Sequence, residues 1–318
     1  MLMLTSVLAG CTGTDGGAEC SEDSSRDFSF LDMSDRNLRF ANLSHSDFSN
    51  SILTNTDLTG ADLCNAKFSG ATMTRVVLTG ADLTGVDFSE TELDYTSIRA
   101  TNLVECPSAL PINWKCINKN LVGHAAILGG ANLSNVDLTG ANLHGANLHG
   151  VDLSNADLSN VDLIYADLRS ADLTGANLTG ANLTGADLYD AHTINLLGCP
   201  ASLPTDWQCA GDNLVGPFAD LTNADLSNVD LSNADLSNVD LIYADLRSAD
   251  LSNANLHKAD LRYADLTGAN LHGANLFSAS MDFADLSGAD LSGVYWYDTT
   301  CPDGTNSDDN GNTCENNL

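Results

Sequence analysis

Positive charge is what this chain has least of: 12 Lys plus Arg stand against 43 Asp plus Glu, a formal net charge of −31. That scarcity excludes a protein that grips nucleic acid through its phosphates, which needs a basic surface. It fits a soluble, self-repelling exterior. Long apolar runs are also missing. The only candidate, Met1–Gly10, is too short to span a bilayer. Catalytic signatures are absent too. There is no phosphate-cradling glycine loop, no HExxH, and no nucleophile with an ordered base. The reading is a protein that is not an enzyme.

What the chain does have is repetition. LSNADLSNVDLIYADLRSADL occupies 153–173 and returns letter for letter at 231–251. Inside it a five-residue unit recurs: Ala or Val, Asp or Asn, Leu, then two small or polar residues. Fixed self-similarity marks a solenoid. A period of five suits neither a helix nor a flat strand. In an extended segment the Ala and Leu point inward and the residue between them points out. The Ser-Asn, Thr-Gly or Ser-Gly pair that follows suits a tight turn.

The unit resembles the pentapeptide repeat family, A-(D/N)-L-x-x. The resemblance implies an all-β fold, a right-handed quadrilateral parallel β-helix with four units per twenty-residue coil. Central residues would face in, and outward residues would stack at i+20.

The expected organisation is a leader at 1–10, a flexible Gly-, Ser- and acid-rich tether at 11–27, and repeat blocks at 28–103, 128–193 and 221–297. In the first block the five-residue register never slips, from Phe28 through Leu93, Ile98 and Leu103. In the second, Leu188 to Leu196 is out of phase, so an irregularity belongs there. Inserts at 104–127 and 194–220 share C-P-x-x-L-P-x-x-W-x-C followed by N-L-V-G. Each reads as a hairpin-like excursion closed by a disulfide, Cys106–Cys116 and Cys199–Cys209, with Trp114 and Trp207 lying back over the coil wall. The segment 298–318 reads as a cap with Trp296 and a third disulfide, Cys301–Cys314, since a solenoid's last coil exposes an edge. The states of Cys20 and Cys64 stay open.

Leu8-Ala9-Gly10-Cys11 resembles the L-A-G-C lipobox of a bacterial lipoprotein signal, although no Lys or Arg precedes the apolar run. The resemblance implies cleavage before Cys11 and its lipidation. A membrane anchor in the bacterial cell envelope follows, at the outer membrane on its periplasmic or outer side. Paired cysteines suit such an oxidising compartment.

The i+20 rule places Asp225, Asp245, Asp265 and Asp285 in one outward ladder and Asp220, Asp240 and Asp260 in another. Some of these carboxyls should carry raised pKa values through mutual repulsion. The same rule stacks Tyr243, Tyr263 and Phe283, and separately His257, Phe277 and Tyr297. Such stacks either steady the sheet or form a surface for an envelope protein or glycan. The histidines do not converge. His144 and His149 lie one corner apart, and His124 falls in an insert where coil register is not assured. No cofactor is expected beyond a weak calcium site at Asn306, Asp308 and Asn310, which match the start of a calcium loop. The functional expectation is a lipid-anchored envelope scaffold. The alternative comes from the family resemblance: an acidic, DNA-mimicking protein binding a topoisomerase in the cytoplasm.

Overall fold

The structure is a computed structural model that describes residues 25–93 and 95–315. The leader, Cys11, Cys20 and most of the tether lie outside the described residues. Two compact units are present: Met1–Asn132 with Ala141–Leu148, and Leu133–Gly140 with His149–Leu318.

Each five-residue unit builds the same local structure in both. The carbonyl of the central residue accepts the N–H three residues on, as in Ala61 N to Leu58 O at 3.0 Å and Ala244 N to Leu241 O at 3.0 Å. The residue before that N–H is left-handed, with φ of 64° at Gly60 and 60° at Asn233. Glycine and asparagine recur there because they enter that region at least cost. The outward Asp or Asn then caps its own turn. Its Oδ1 accepts the N–H two residues on, at 3.0 Å from Ser154 to Asp152 and 2.9 Å from Ser252 to Asp250. The favoured letters of the repeat are thus a turn chemistry.

Successive coils pair in parallel through one bridge per side: Asp47 with Lys67 and Asp57 with Val77 in the first unit, Asp225 with Asp245 and Asp230 with Asp250 in the second. Around each bridge the central N–H donates forward one coil (Leu246 N to Asp265 O, 2.8 Å) and the outward N–H donates back (Asp245 N to Ala224 O, 2.9 Å). Twenty residues per coil at five per side gives four sides. Apart from half-buried Leu38, the central leucines of the repeats are buried, with Ala, Val, Ser or Thr beside them. In the first unit Phe28, Phe48, Phe68 and Phe88 form an internal stack at 4.9, 5.1 and 5.3 Å.

The register of the first block does slip, against expectation. Val77 bridges Arg99, not Ser97, and Asp87 bridges Ala109. The turn between Leu93 and Ile98 holds two extra residues and left-handed backbone at both Tyr95 and Ser97. Ile98 therefore takes the position beside the centre and Ala100 takes the centre, both buried. Ile98-Arg99-Ala100 meets the in–out–in requirement with large and small exchanged, so the apolar spacing hides the shift. In the second unit Asp172 bridges His192 and Asn177 bridges Gly198, so the irregularity lies between 192 and 198.

Both excursions are antiparallel hairpins: β1 (Lys115–Ile117) with β2 (Asn120–Val122), and β3 (Gln208–Ala210) with β4 (Asn213–Val215). Disulfides Cys106–Cys116 and Cys199–Cys209 close them. The N-L-V strands rejoin the coil, with Leu121 N donating to Ala100 O and Leu214 N to Thr193 O. Trp114 is buried against Gly123, and Trp207 packs against Gly216.

At the C-terminal end Trp296 is buried, and the Ser307 hydroxyl donates to its carbonyl at 2.9 Å. A short 3₁₀ helix, Ser307–Asn310, and the fully buried Cys301–Cys314 disulfide complete the cap. Cys64 is buried and disulfide-bonded. No helix among the described residues is long and apolar enough to cross a membrane.

Candidate interaction surface

The second unit holds both sequence-read aromatic stacks. Tyr243, Tyr263 and Phe283 lie 4.9 and 5.0 Å apart, near-parallel at 18° and 11°. His257, Phe277 and Tyr297 lie 4.8 and 5.2 Å apart at 14° and 8°. Rings this close and this parallel must overlap, because coplanar rings would collide. Along each stack the faces are turned toward one another, and edges reach solvent.

The two stacks bound one side of the coil. Each strip of that side runs from one corner to the next, as in His257-Lys258-Ala259-Asp260-Leu261-Arg262-Tyr263. Its outward residues are Asp220, Asp240, Asp260, Ser280 and Thr300, bridged in succession. The carboxylates are unequally compensated. His192 Nδ1 lies 3.1 Å from an Asp220 carboxylate oxygen, and this pairing holds the carboxyl down to about 2 and raises the imidazole. Asp260 is clamped by Arg262, with Nη2 2.6 Å from Oδ2. Asp240 lies between them, and burial, followed by the repulsion of Asp260 and Asp220, pushes its carboxyl up.

The second ladder, Asp225, Asp245, Asp265 and Asp285, is likewise bridged from coil to coil. The rise expected of some carboxyls, seen at Asp240, does not extend to Asp245 and Asp285, both of which are lowered. Arg247 binds Asp245 through Nε at 2.8 Å and lies 3.7 Å from Asp265. Hydrogen bonds from the Ser287 side chain and backbone hold Asp285 down. The repeated D-L-R letters were the available signal for this clamp: Arg169 grips Asp167 in the same way. Where Asn replaces Asp, amides link coils directly, as Asn275 to Asn255 and Asn255 to Asp235, both 3.0 Å.

One feature escaped the sequence reading. In the first unit His124 is in register, stacked on His144 at 5.2 Å and against Tyr95 at 4.0 Å. The excursion returns to phase before His124, so the ring joins the corner column. Stacked imidazoles do not converge on a metal. Among the described residues no group of three or more His, Cys, Asp or Glu could hold one. In the C-terminal loop Asn306 caps the 3₁₀ helix, Asp308 accepts from Asp298 N, and the Asn310 amide donates to Thr305. These three side chains are engaged separately within the loop.

The family described as pentapeptide repeats matches residues 32–70, 71–106, 124–155, 152–190, 219–257 and 254–293, more than half of the chain. Among solved structures, one similar chain is HetL, a pentapeptide repeat protein involved in heterocyst differentiation regulation from the cyanobacterium Nostoc sp. strain PCC 7120. It shows 27% identity, covering 86% of this chain and 92% of that one, with a TM-score of 0.24. Another is QnrB1, a plasmid-mediated fluoroquinolone resistance protein, at 18% identity over 83% and 90%, TM-score 0.23. A third is a pentapeptide repeat protein from the Arabidopsis thaliana thylakoid lumen, at 25% over 48% and 68%, TM-score 0.19. No curated protein matches the chain.

Proposed function

Because the chain belongs to the pentapeptide repeat family, we propose that it is a non-enzymatic binding scaffold, lipid-anchored at Cys11 in the bacterial cell envelope. One contrast carries the binding role. The outward Asp and Asn side chains cap the fold's own turns, whereas aromatic side chains that cap nothing are exposed: Tyr243 at 57%, Phe283 at 69% and Tyr297 at 60%. Exposed apolar side chains gathered on one side of a soluble fold mark a contact surface. Location rests on two supports. Three disulfides lie within the described residues, and such bonds persist in oxidising compartments. The lipobox letters Leu8-Ala9-Gly10-Cys11 supply the anchor. Among envelope partners a protein suits the stacks better than a glycan. A sugar packs on an open ring face, and these stacks leave open faces only at their ends.

Intact-mass measurement of the N-terminal peptide after expression in a Gram-negative host tests the reading. A diacylglyceryl-modified Cys11 at a new N-terminus is expected. An unprocessed Met1 with free thiols would overturn it, and protection of a topoisomerase would be assayed instead.

A further inference from the structure

Tyr243, Tyr263 and Phe283 sit at the fold's left-handed turn position, as Phe40 and Tyr165 do elsewhere, but here three rings follow one another coil by coil. All three are left-handed, with φ of 59°, 61° and 61°. Bulky residues rarely enter that region, and the corresponding corner one coil earlier carries Asn223, φ 61°. The chain holds three successive large rings where asparagine or glycine would be easier.

The side that these rings border has a second property. Its central carboxylate, Asp240, forms no ion pair among the described residues and feels Arg262 only from the next coil. Asp220 has His192 and Asp260 has Arg262. The opposite rim is the His257–Phe277–Tyr297 stack. Backbone pairing on this side is complete from coil to coil, so a partner cannot add as a strand. It must engage side chains: an acidic floor at Asp240, with Tyr243 at one corner of its coil and Ser237 at the other, the second aromatic rim beginning one coil on at His257.

We propose that this side of the second unit docks a basic polypeptide segment, placing a Lys or Arg side chain against Asp240 and its aliphatic stem along the Tyr243–Tyr263 rim. Charge complementarity selects the occupant, since a chain with net charge −31 attracts cations and repels acidic partners. Long basic side chains also carry the apolar stem that the ring edges can cover. The inference deepens the scaffold reading above and rests on it only for the assumption that the surface binds protein.

Fluorescence anisotropy of labelled octalysine on the purified full chain at physiological salt tests it. Asp240→Asn keeps the acceptor for Ile242 N, and Asp230→Asn, on another side, keeps the one for Ser232 N. The two variants therefore remove equal charge without breaking a turn. Asp240→Asn is expected to weaken binding about fivefold and Asp230→Asn by less than about twofold, as for one partly desolvated ion pair. Tyr263→Asn should weaken it by about threefold without lowering Tm. Equal losses for the two Asp variants would reduce the binding to bulk attraction and overturn the proposal. So would a chitin oligosaccharide that binds the chain and is insensitive to Asp240→Asn. Neither result would alter the N-terminal mass, so failure of this surface and failure of the envelope reading are separable.

Discussion

The indole of Trp114 lies flat on Gly123, so close that a Cβ there would sit 2.3 Å from the ring, and Trp207 repeats this on Gly216 at 2.4 Å. Neither glycine is left-handed; each is required by contact and not by backbone freedom. The last letter of N-L-V-G is thus the floor on which the tryptophan of C-P-x-x-L-P-x-x-W-x-C rests. The two motifs recur together because they form one packing unit.

Gly123→Ala should therefore destabilise the first excursion by about 1–3 kcal/mol, the usual cost of forcing a methyl into a filled contact. Denaturant unfolding followed by tryptophan fluorescence checks it. Gly130→Ala is the control, where an added Cβ would meet nothing within 4 Å; there only the left-handed φ of 72° is penalised.

Tyr263→Asn separates structural stacking from functional display. Loss of two ring contacts costs about 0.2–1 kcal/mol each. Asparagine keeps its Cβ but is better tolerated in left-handed backbone, which returns part of the roughly 1–2 kcal/mol that such backbone costs. Calorimetry should find Tm unchanged or raised. A clear fall would make the stack a structural device.

How far the sequence could be read follows from where the repeat's chemistry is local. Leu58 or Leu246 is inward, and Asp152 or Asp250 outward, because the turn between units is built from adjacent residues. Three disulfides were legible because each Cys pair sits within one loop, whereas the bonded state of Cys64, whose own loop holds no second Cys, was not. The shift at 94–97 was not, since Ile98-Arg99-Ala100 satisfies the same pattern in either phase. The behaviour of the Asp ladders was hidden for another reason. Repulsion between i and i+20 is visible in the letters, but the lowered pKa of Asp285 depends on Ser287 and that of Asp245 on Arg247. Local hydrogen bonds outweigh a like charge one coil away. At Asp240, where burial joins the repulsion, the expected rise appears.

Asn255→Asp tests the amide links between coils. Asn255 donates to Asp235 and accepts from Asn275. The substitution removes the donor and sets two carboxylates against each other, costing about 1–3 kcal/mol near neutral pH. Below roughly pH 4 a protonated carboxyl can donate again, so the deficit should shrink there. A deficit that ignores pH would mean that the link carries no electrostatic weight.

The His192–Asp220 pair sets a pH window for the second unit. The imidazole's pKa is raised above 6.5, first by its close pairing with Asp220 and against the effect of burial. It therefore contributes stability fully below about pH 6.5 and loses it as pH rises through the folded-state value. The Asp220 carboxyl is lowered from 3.8 to about 2, first by His192. Its contribution is present above about pH 4 and is lost as pH falls toward 2. Both contributions coexist only between about pH 4 and 6.5. The unfolding midpoint of the native chain should thus fall between pH 6 and 9, while His192→Gln, which cannot protonate, should show a flatter profile and lower stability near pH 5.5. Parallel profiles for the two proteins would exclude this pair as the source of pH dependence. Because the Asp220 side chain faces the same floor as Asp240, the loss of the imidazolium charge on raising pH should also strengthen octalysine binding. That change would be absent in His192→Gln, linking the stability window and the binding surface through one residue.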